Sequence, residues 1–282
     1  NISFENITLY SSSQIGFSEG NGEGPIHYSN CKITRRPDTT RLISAGADGI
    51  NSINQENGPI IRNTLFEYNG DDAIHIHGSL TSVLHKISDK EYILDFTSRG
   101  KLKNETIDFY AWDGLSYVGQ RKIIAWEKIS NWSVPSDINS MKKFSEDQLI
   151  TAYKITLDAP ISISLPSVYS MDSYSGRNAI IENSIFKNTF GKGVLVMSPN
   201  MQIINNYFEH IGLRAVQICN KDITSWKIGV MPYGTAVVDN KMHSIGFSST
   251  VPNGELFRTY SYGNRDSFGN IFKNNFLLGS PL

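Results

Sequence analysis

The chain has 282 residues, with 26 basic and 27 acidic side chains and a net charge of −1. This balance argues against a nucleic-acid or polybasic membrane-surface binder, and no apolar run approaches the roughly 20 residues of a membrane helix. Two cysteines, Cys31 and Cys219, provide neither a disulfide framework nor metal-ligand spacing. With 39% hydrophobic residues, the composition predicts a globular protein without nucleic-acid or membrane partners.

A short β-type segment recurs along the chain, with an asparagine just before an apolar or aromatic pair. The repeated asparagines are Asn30, Asn63, Asn183, Asn206, Asn240 and Asn274. The segments are rich in Ile, Val and Phe and bounded by turn-forming residues, which is typical of strands. Asparagine tolerates left-handed turns, and stacked amides can bond from coil to coil. A repeat with a minimum length and longer excursions predicts an all-β fold, a parallel β-helix, although an antiparallel sandwich is the alternative.

The repeat covers residues 1–78 and 178–282 and is absent from residues 79–177. In that interval longer alternating strands are predicted at 82–87, 92–96, 105–110, 122–129 and 149–157, separated by short polar links. We therefore expect an antiparallel β-barrel or sandwich inserted into the solenoid. Both ends of the chain lie in repeat-like sequence, which predicts flanking domains or a homo-oligomer to cover the open coils.

Three aspartates are the candidate catalytic residues: Asp48, Asp71 and Asp72. Aligning Ile50 with Ile74 on neighbouring coils brings Asp48 level with Asp72, and stacked parallel strands lie about 4.8 Å apart. Because like charges at this distance oppose one another, at least one of the three pKa values is expected to rise. A protonated acid beside an ionised base is what cleavage of a glycosidic bond requires.

Two cations are predicted in the same column. Val194 and Val216 match Ile74 in the later coils, so Lys192 and Arg214 are expected above the aspartates. They could tune the acids and donate hydrogen bonds to sugar hydroxyls. The alternative is that both are counter-ions of an acidic column.

Strand alternation places His75 and His77 on the Asp71 side, away from the core. His77, which precedes a glycine, is the better candidate for binding a sugar, and His75 is equally well explained as a structural histidine. The aspartates also have alternatives: they could cap sharp turns or bind Ca²⁺. No metal and no organic cofactor is predicted.

The motifs resemble those of glycoside hydrolase family 110, and they read RLISAGADGINS at residues 41–52, GPIIRNTLF at 58–66 and DDAIHIHG at 71–78. This family contains exo-acting α-1,3-galactosidases on a right-handed parallel β-helix, with a β-rich insertion just after the His-Gly pair. The resemblance implies that Asp71 is the general acid and that Asp48 and Asp72 activate water, with inversion. Arg41, which opens the matching segment, is then a candidate substrate-binding residue.

The resemblance implies a galactose-containing glycan as the partner and a secreted or periplasmic location. Trp112 or Trp126 of the insertion could shape the pocket, although tryptophan in a barrel is more often core. The motifs are more distantly similar to polygalacturonase-type hydrolases. Three alternative functions therefore stay open: an endo-acting hydrolase of that type, a polysaccharide lyase or epimerase, and a non-catalytic carbohydrate-binding solenoid.

Overall fold

The structure is a computed structural model that describes residues 2–96, 102, 104–112, 116–130, 132, 151–171, 173–220, 228–247, 255–260 and 267–279. Throughout these ranges the regular structure is β-strand, and three parallel sheets wind around a common core. The predicted fold class, a parallel β-helix with an inserted antiparallel barrel, is confirmed. The described residues include no helix that is long and apolar enough to cross a membrane.

Each of the first six coils contributes one strand to each sheet, and within the described residues the last coil contributes strands to sheets 1 and 2. In spatial order, sheet 1 contains Ile2–Glu5, Ile26–Ser29, Ile60–Arg62, Ile180–Glu182, Gln202–Ile204, Ala236–Val238 and Ile271–Lys273. Sheet 2 contains Thr8–Leu9, Lys32–Ile33, Leu65–Glu67, Ile185–Thr189, Tyr207–Ile211, Lys241–Ile245 and Phe276–Leu277. Sheet 3 contains Phe17–Gly20, Ile50–Ile53, Ile74–His77, Val194–Met197, Val216–Cys219 and Phe257–Tyr260.

The turn between sheets 1 and 2 uses polar residues at two consecutive positions. The first position has a left-handed backbone and is occupied by Asn6, Asn30, Asn63, Asn183, Asn205, Asp239 and Asn274. The second carries a ladder of buried side chains, in which the Asn240 Oδ1 accepts from the Asn206 amide nitrogen at 2.9 Å. The predicted alignment of Asn206 and Asn240 with the left-handed asparagines is therefore wrong by one residue. The sequence repeat had merged two positions with different physical roles.

Apolar side chains stack inside the coils in register. The rings of Phe66, Phe186 and Phe208 are stacked nearly parallel, with centroids 5.0 and 4.6 Å apart. Above and below them, isoleucines and valines of the three sheets are fully buried. This continuous core fixes the register of each coil on the next, because a shift by one residue would turn apolar side chains to solvent.

The insertion is a closed antiparallel barrel of six strands. In spatial order they are Thr81–Lys86, Glu91–Asp95, Ala152–Leu157, Tyr117–Lys128, Thr106–Ala111 and Ser167–Met171. Five of these strands overlap the five predicted ones. Residues 149 and 150, at the start of the predicted strand 149–157, lie outside the described residues. The sequence did not predict Ser167–Met171, the strand that closes the barrel by pairing with both Thr81–Lys86 and Thr106–Ala111.

The solenoid continues across the insertion without a change of register. Ile60 pairs with Ile180, and Ile74 pairs with Val194, although each pair is separated by 120 residues in the sequence. The coil before the barrel is thereby stacked directly on the coil after it. This junction is where the candidate site lies.

Candidate active site

One row of sheet 3 sets the position of the predicted column. In this row, each residue pairs with the equivalent residue of the next coil, in the order Ile50, Ile74, Val194 and Val216. Two residues earlier, the coils remain joined by backbone bonds. The Gly49 amide donates to the Asp72 carbonyl at 3.0 Å, and the Ala73 amide donates to the Lys192 carbonyl at 2.8 Å.

The Gly193 amide continues this pattern by donating to the Arg214 carbonyl at 2.9 Å. Asp48, Asp72, Lys192 and Arg214 therefore stack in the predicted order. The arrangement is a direct result of register, since these residues come from four separate turns.

Asp72 is buried beneath the ammonium group of Lys192. Its side chain is 3% exposed. The Lys192 Nζ lies 3.0 and 3.2 Å from its two carboxylate oxygens, and the Lys192 backbone amide donates to the Oδ1 at 2.7 Å. Lys192 thus neutralises one of the buried carboxylates and fixes its orientation.

Asp48 is buried next to Asp72 and has different partners. The Asn51 amide donates to its Oδ2 at 2.8 Å, and the Nδ1 of His75 lies 3.6 Å from the same oxygen. Burial by itself would raise the pKa of Asp48, but the hydrogen bonds and positive charge offered by His75, with the Asn51 bond, hold that pKa below its usual range. Asp48 is therefore a carboxylate that stays ionised.

Asp71 differs from the other two because its side chain is exposed. Its backbone is joined to Ala47 on one neighbouring coil and to Gly191 on the other, so small residues flank it on both sides. Partial desolvation by the surrounding protein raises the pKa of Asp71, and the negative charges of Asp72 and Asp48 raise it further. The exposed carboxyl therefore retains its proton to higher pH than an isolated aspartate does.

The two histidines lie behind the carboxylates on the outer face of sheet 3. Their rings are 4.3 Å apart between centroids, and His75 is the one that contacts Asp48, a contact that strand alternation did not predict. The buried Nε2 of His75 has no hydrogen-bond partner among the described residues. This orphan nitrogen leaves His75 with an unused polar group inside the site.

His77 is 3% exposed, and its Nδ1 lies 3.0 Å from the Gly78 carbonyl oxygen. A carbonyl only accepts, so the Nδ1 carries the hydrogen. Burial lowers the pKa of His77 to about 3, with a further contribution from His75. His77 is thus a buried neutral ring packed against His75, and its role as a sugar ligand stays a prediction.

Arg214 occupies the predicted column, but its guanidinium is bound by residues other than the aspartates. Its Nε lies 2.5 Å from the Glu255 Oε2, and its Nη1 donates to the Gln217 Oε1 at 3.0 Å. The cation is therefore held by the following coil. Glu255 was not singled out in the sequence because it follows a long excursion between coils.

The remaining candidates are an arginine that precedes Asp48 and two tryptophans of the inserted barrel. Arg41 is exposed, and its carbonyl accepts a hydrogen bond from Arg35 at 3.4 Å. Trp112 packs against a small cluster of buried barrel residues. Trp126 is exposed, and its ring lies 5.6 Å from that of Tyr153 on the barrel.

The buried centre offers donor atoms for a cation. One oxygen each of Asp48 and Asp72 and a ring nitrogen of His75 lie within 4.8 Å of one another. However, the Lys192 ammonium already supplies a positive charge at Asp72. A divalent ion would have to displace or tolerate this ammonium, so the donor set does not favour a metal site.

Two supporting residues escaped the sequence reasoning. Asn51 follows Asp48 by three residues and binds it across the start of the strand. Gly191 leaves the room that the carboxylates occupy, because a Cβ there would lie 2.6 Å from the Asp72 Oδ1. The glycine before Lys192 was the available signal, since glycine is required where backbone approaches closely.

The chain is similar to curated α-1,3-galactosidases. It is 25% identical over 228 residues to α-1,3-galactosidase A of Bacteroides fragilis, a match covering 79% of this chain and 36% of that protein. It is 25% identical over 223 residues to α-1,3-galactosidase A of Bacteroides thetaiotaomicron, covering 78% and 33%. For α-1,3-galactosidase B of Akkermansia muciniphila the identity is 22% over 228 residues, covering 79% and 27%. The resemblance indicated by the motifs is thus confirmed, and the chain spans about a third of the length of these relatives.

No protein-family model matches the chain. Among solved structures, it is similar to the A-module of a mannuronan C-5 epimerase from Azotobacter vinelandii, with 10% identity, a TM-score of 0.34 and coverage of 100% of this chain and 56% of that chain. It is also similar to a tailspike protein of Pseudomonas phage LKA1, with 12% identity, a TM-score of 0.32 and coverage of 83% and 35%. At these TM-scores neither likeness bears on the activity of this chain.

Proposed function

We propose that this chain carries the catalytic centre of a glycoside hydrolase that cleaves terminal α-linked galactosides with inversion. The observation that carries the proposal is an exposed carboxyl with a raised pKa, Asp71, beside two buried carboxylates on stacked coils. The names of the relatives support galactose as the sugar and the α-1,3 linkage as the first to test.

Asp71 is the proposed general acid. A group that donates a proton to the departing glycosidic oxygen must reach the substrate and hold its proton near neutral pH. Asp71 is exposed, and the charges of its neighbours favour its protonated form. Asp71 therefore combines access with a pKa that is shifted upward, the direction that a general acid requires.

Asp48 and Asp72 are the proposed pair that positions and deprotonates water. Asp48 remains ionised because His75 and Asn51 stabilise its charge, so it can accept a proton. Asp72, fixed by Lys192, can orient the same water from the adjoining coil. Inversion requires the acid and base carboxyls to be roughly 6.5–9.5 Å apart, which leaves space for that water.

The ion pair between Lys192 and Asp72 favours hydrolysis over a lyase or epimerase reaction. Those reactions abstract a proton next to the carboxylate of a uronic acid, and a lysine must lose its own proton to act as that base. Here the Lys192 ammonium is bound to both oxygens of Asp72. The proposed reaction needs one proton from Asp71 to the departing oxygen and one from water to Asp48, and it uses no cofactor.

The leaving group provides a test of the acid. Fluoride departs without protonation, whereas a sugar alcohol does not. We expect Asp71→Asn to reduce kcat on an α-1,3-linked galactose disaccharide by about a hundredfold or more, while α-galactosyl fluoride is hydrolysed at a substantial fraction of the wild-type rate. Asp48→Asn should impair both substrates, because water activation is needed in each case.

A matched control is Asp89→Asn, since Asp89 is an exposed carboxylate of the barrel that pairs with Lys86 at 2.7 Å. This variant should behave as wild type on both substrates. Equal losses of Asp71→Asn on the disaccharide and the fluoride would contradict the acid assignment. Proton NMR of the first-formed galactose should show the β-anomer, and the α-anomer would exclude inversion.

The same preparation separates the rival functions. An ultraviolet-absorbing unsaturated product from a polyuronate would indicate a lyase, and internal cleavage of polygalacturonate would indicate an endo-acting hydrolase. Disaccharide binding by the wild type without turnover would indicate a carbohydrate-binding solenoid. Each of these results would overturn the proposed α-galactosidase activity.

A further inference from the structure

A single aromatic side chain interrupts a column of glycines beside the carboxylates. The column contains Gly46, Gly70, Phe190, Gly212 and Gly246 on successive coils. Backbone hydrogen bonds join these coils: the Gly70 amide donates to the Ala45 carbonyl at 2.8 Å, and the Phe190 amide donates to the Asn69 carbonyl at 3.0 Å. The Gly212 amide donates to the Thr189 carbonyl and the Gly246 amide to the Ile211 carbonyl, both at 2.8 Å. Among these five residues, Phe190 is the one that has a side chain beyond Cα.

The phenyl ring stands alone at the surface. Phe190 is 56% exposed. Its column neighbours cannot carry side chains, because a Cβ on Gly70 would lie 2.7 Å from the Gly46 carbonyl oxygen and one on Gly212 would lie 2.2 Å from that of Phe190. At these positions the neighbouring coils therefore present backbone without side chains, and the Phe190 ring projects beyond them.

This ring is adjacent to the proposed acid. Phe190 precedes Gly191, whose amide donates to the Asp71 carbonyl at 3.2 Å. One coil and one residue separate Phe190 from Asp71, which corresponds to about 6 Å between their Cα atoms for strands about 4.8 Å apart. The backbone packs closely at Gly191, where a Cβ would lie 2.5 Å from the Asp71 carbonyl carbon, and this keeps the two coils adjacent.

The carboxylates differ in burial, and this difference indicates how a substrate would be oriented in the site. Asp48 and Asp72 are buried, whereas Asp71 and Phe190 are exposed. In the proposed reaction the sugar that is cleaved lies over the buried pair. The group that departs extends from Asp71 toward solvent, and this path passes Phe190.

We propose that Phe190 is a binding platform for the sugar on the leaving-group side of the scissile bond. A pyranose ring has a face of C–H groups, and an exposed aromatic ring offers an apolar surface on which that face can stack. Among the described residues, the flanking glycines Gly70 and Gly212 carry no side chain that would obstruct a flat sugar on the ring. This inference rests on the proposed function and names the second sugar as a determinant of specificity.

Comparing a substrate that has a second sugar with one that lacks it provides the test. We expect Phe190→Ala to lower kcat/KM on an α-1,3-linked galactose disaccharide about tenfold. The loss should arise mainly in KM and be at least five times larger than the loss on α-galactosyl fluoride. Phe190→Trp should restore most of the disaccharide activity.

Phe276→Ala is the matched control, because Phe276 is also 56% exposed and lies in the last strand of sheet 2. It should leave both substrates unaffected. Equal losses of Phe190→Ala on disaccharide and fluoride would indicate a structural effect and overturn the platform. No loss on either would overturn it as well.

Binding separates this inference from the proposed function. In the Asp71→Asn background, calorimetry with the uncleaved disaccharide should show about tenfold weaker binding when Phe190→Ala is added. Unchanged affinity would overturn the platform even if hydrolysis were confirmed. A wild type that hydrolyses neither substrate would instead refute the proposed function, and the binding comparison would still decide the role of Phe190.

Discussion

Replacing Lys192 with methionine tests the electrostatics of the buried centre independently of any activity. The ammonium binds both oxygens of Asp72 at 3.0 and 3.2 Å, and the two side chains are only 14% and 4% exposed. Methionine retains most of the volume but leaves the Asp72 carboxylate without its counter-ion, close to the charge of Asp48. We therefore expect Lys192→Met to fold and to be strongly destabilised.

The magnitude follows from burial. Removing one partner of a buried ion pair costs roughly 3–5 kcal/mol, and the lower end applies because the residue-192 backbone amide still donates to Asp72. A loss of about 3 kcal/mol lowers the thermal midpoint of a chain of this size by roughly 6–12 °C. Unfolding can be followed by circular dichroism at pH 7 as a function of temperature and urea.

Lys187→Met is the matched control from the same coil. Lys187 pairs with Glu209 at 3.0 Å, but its side chain is 34% exposed, so its removal should cost at most about 1 kcal/mol. In an Asp72→Asn background, Lys192→Met should have less than about half of its effect, because no buried charge is left unpaired. A Lys192→Met loss as small as that of Lys187→Met, or one unchanged by Asp72→Asn, would refute this reasoning.

Three further changes probe the coil stack and the site. Burial raises the pKa of Glu19 from 4.5 to about 7, against the hydrogen bond that the Tyr28 hydroxyl donates to its Oε2 at 3.3 Å. The unfolded chain therefore releases this proton at lower pH than the folded one, and stability falls by up to about 3 kcal/mol as pH rises from 4.5 to 7. Glu19→Gln should flatten this dependence in urea titrations, and parallel curves would contradict it. Asn240→Ala should cost about 2–3 kcal/mol, because it leaves the buried Asn206 amide without its acceptor; a cost no larger than that of exposed Asn205→Ala would count against the ladder. Gly191→Ala would place a Cβ 2.6 Å from the Asp72 Oδ1, so we expect a loss of hydrolytic activity with the β-sheet circular dichroism spectrum retained, and wild-type activity would show that the carboxylate can move freely.

The sequence determined the fold and the stacking of the acidic column. Alternating apolar residues and turn-forming asparagines at regular intervals are local signals, and they identify strands and coils without knowledge of distant contacts. Pairing Ile50 with Ile74 was enough to stack Asp48 on Asp72, because parallel strands in register repeat every position at the same spacing. The insertion interrupted the repeat without hiding it, so Lys192 could also be placed.

Only the tertiary structure decided which partner each side chain has. Register fixed the column that holds Arg214, but Glu255 on the following coil binds its guanidinium, and the length of the intervening excursion hides that neighbour in the sequence. Alternation turned His75 and His77 outward, yet the segments packed over sheet 3 bury both. Coil register depends on a periodic apolar pattern that the sequence displays, whereas burial and ion pairing depend on non-repeating segments whose positions are set by packing between residues far apart in the chain.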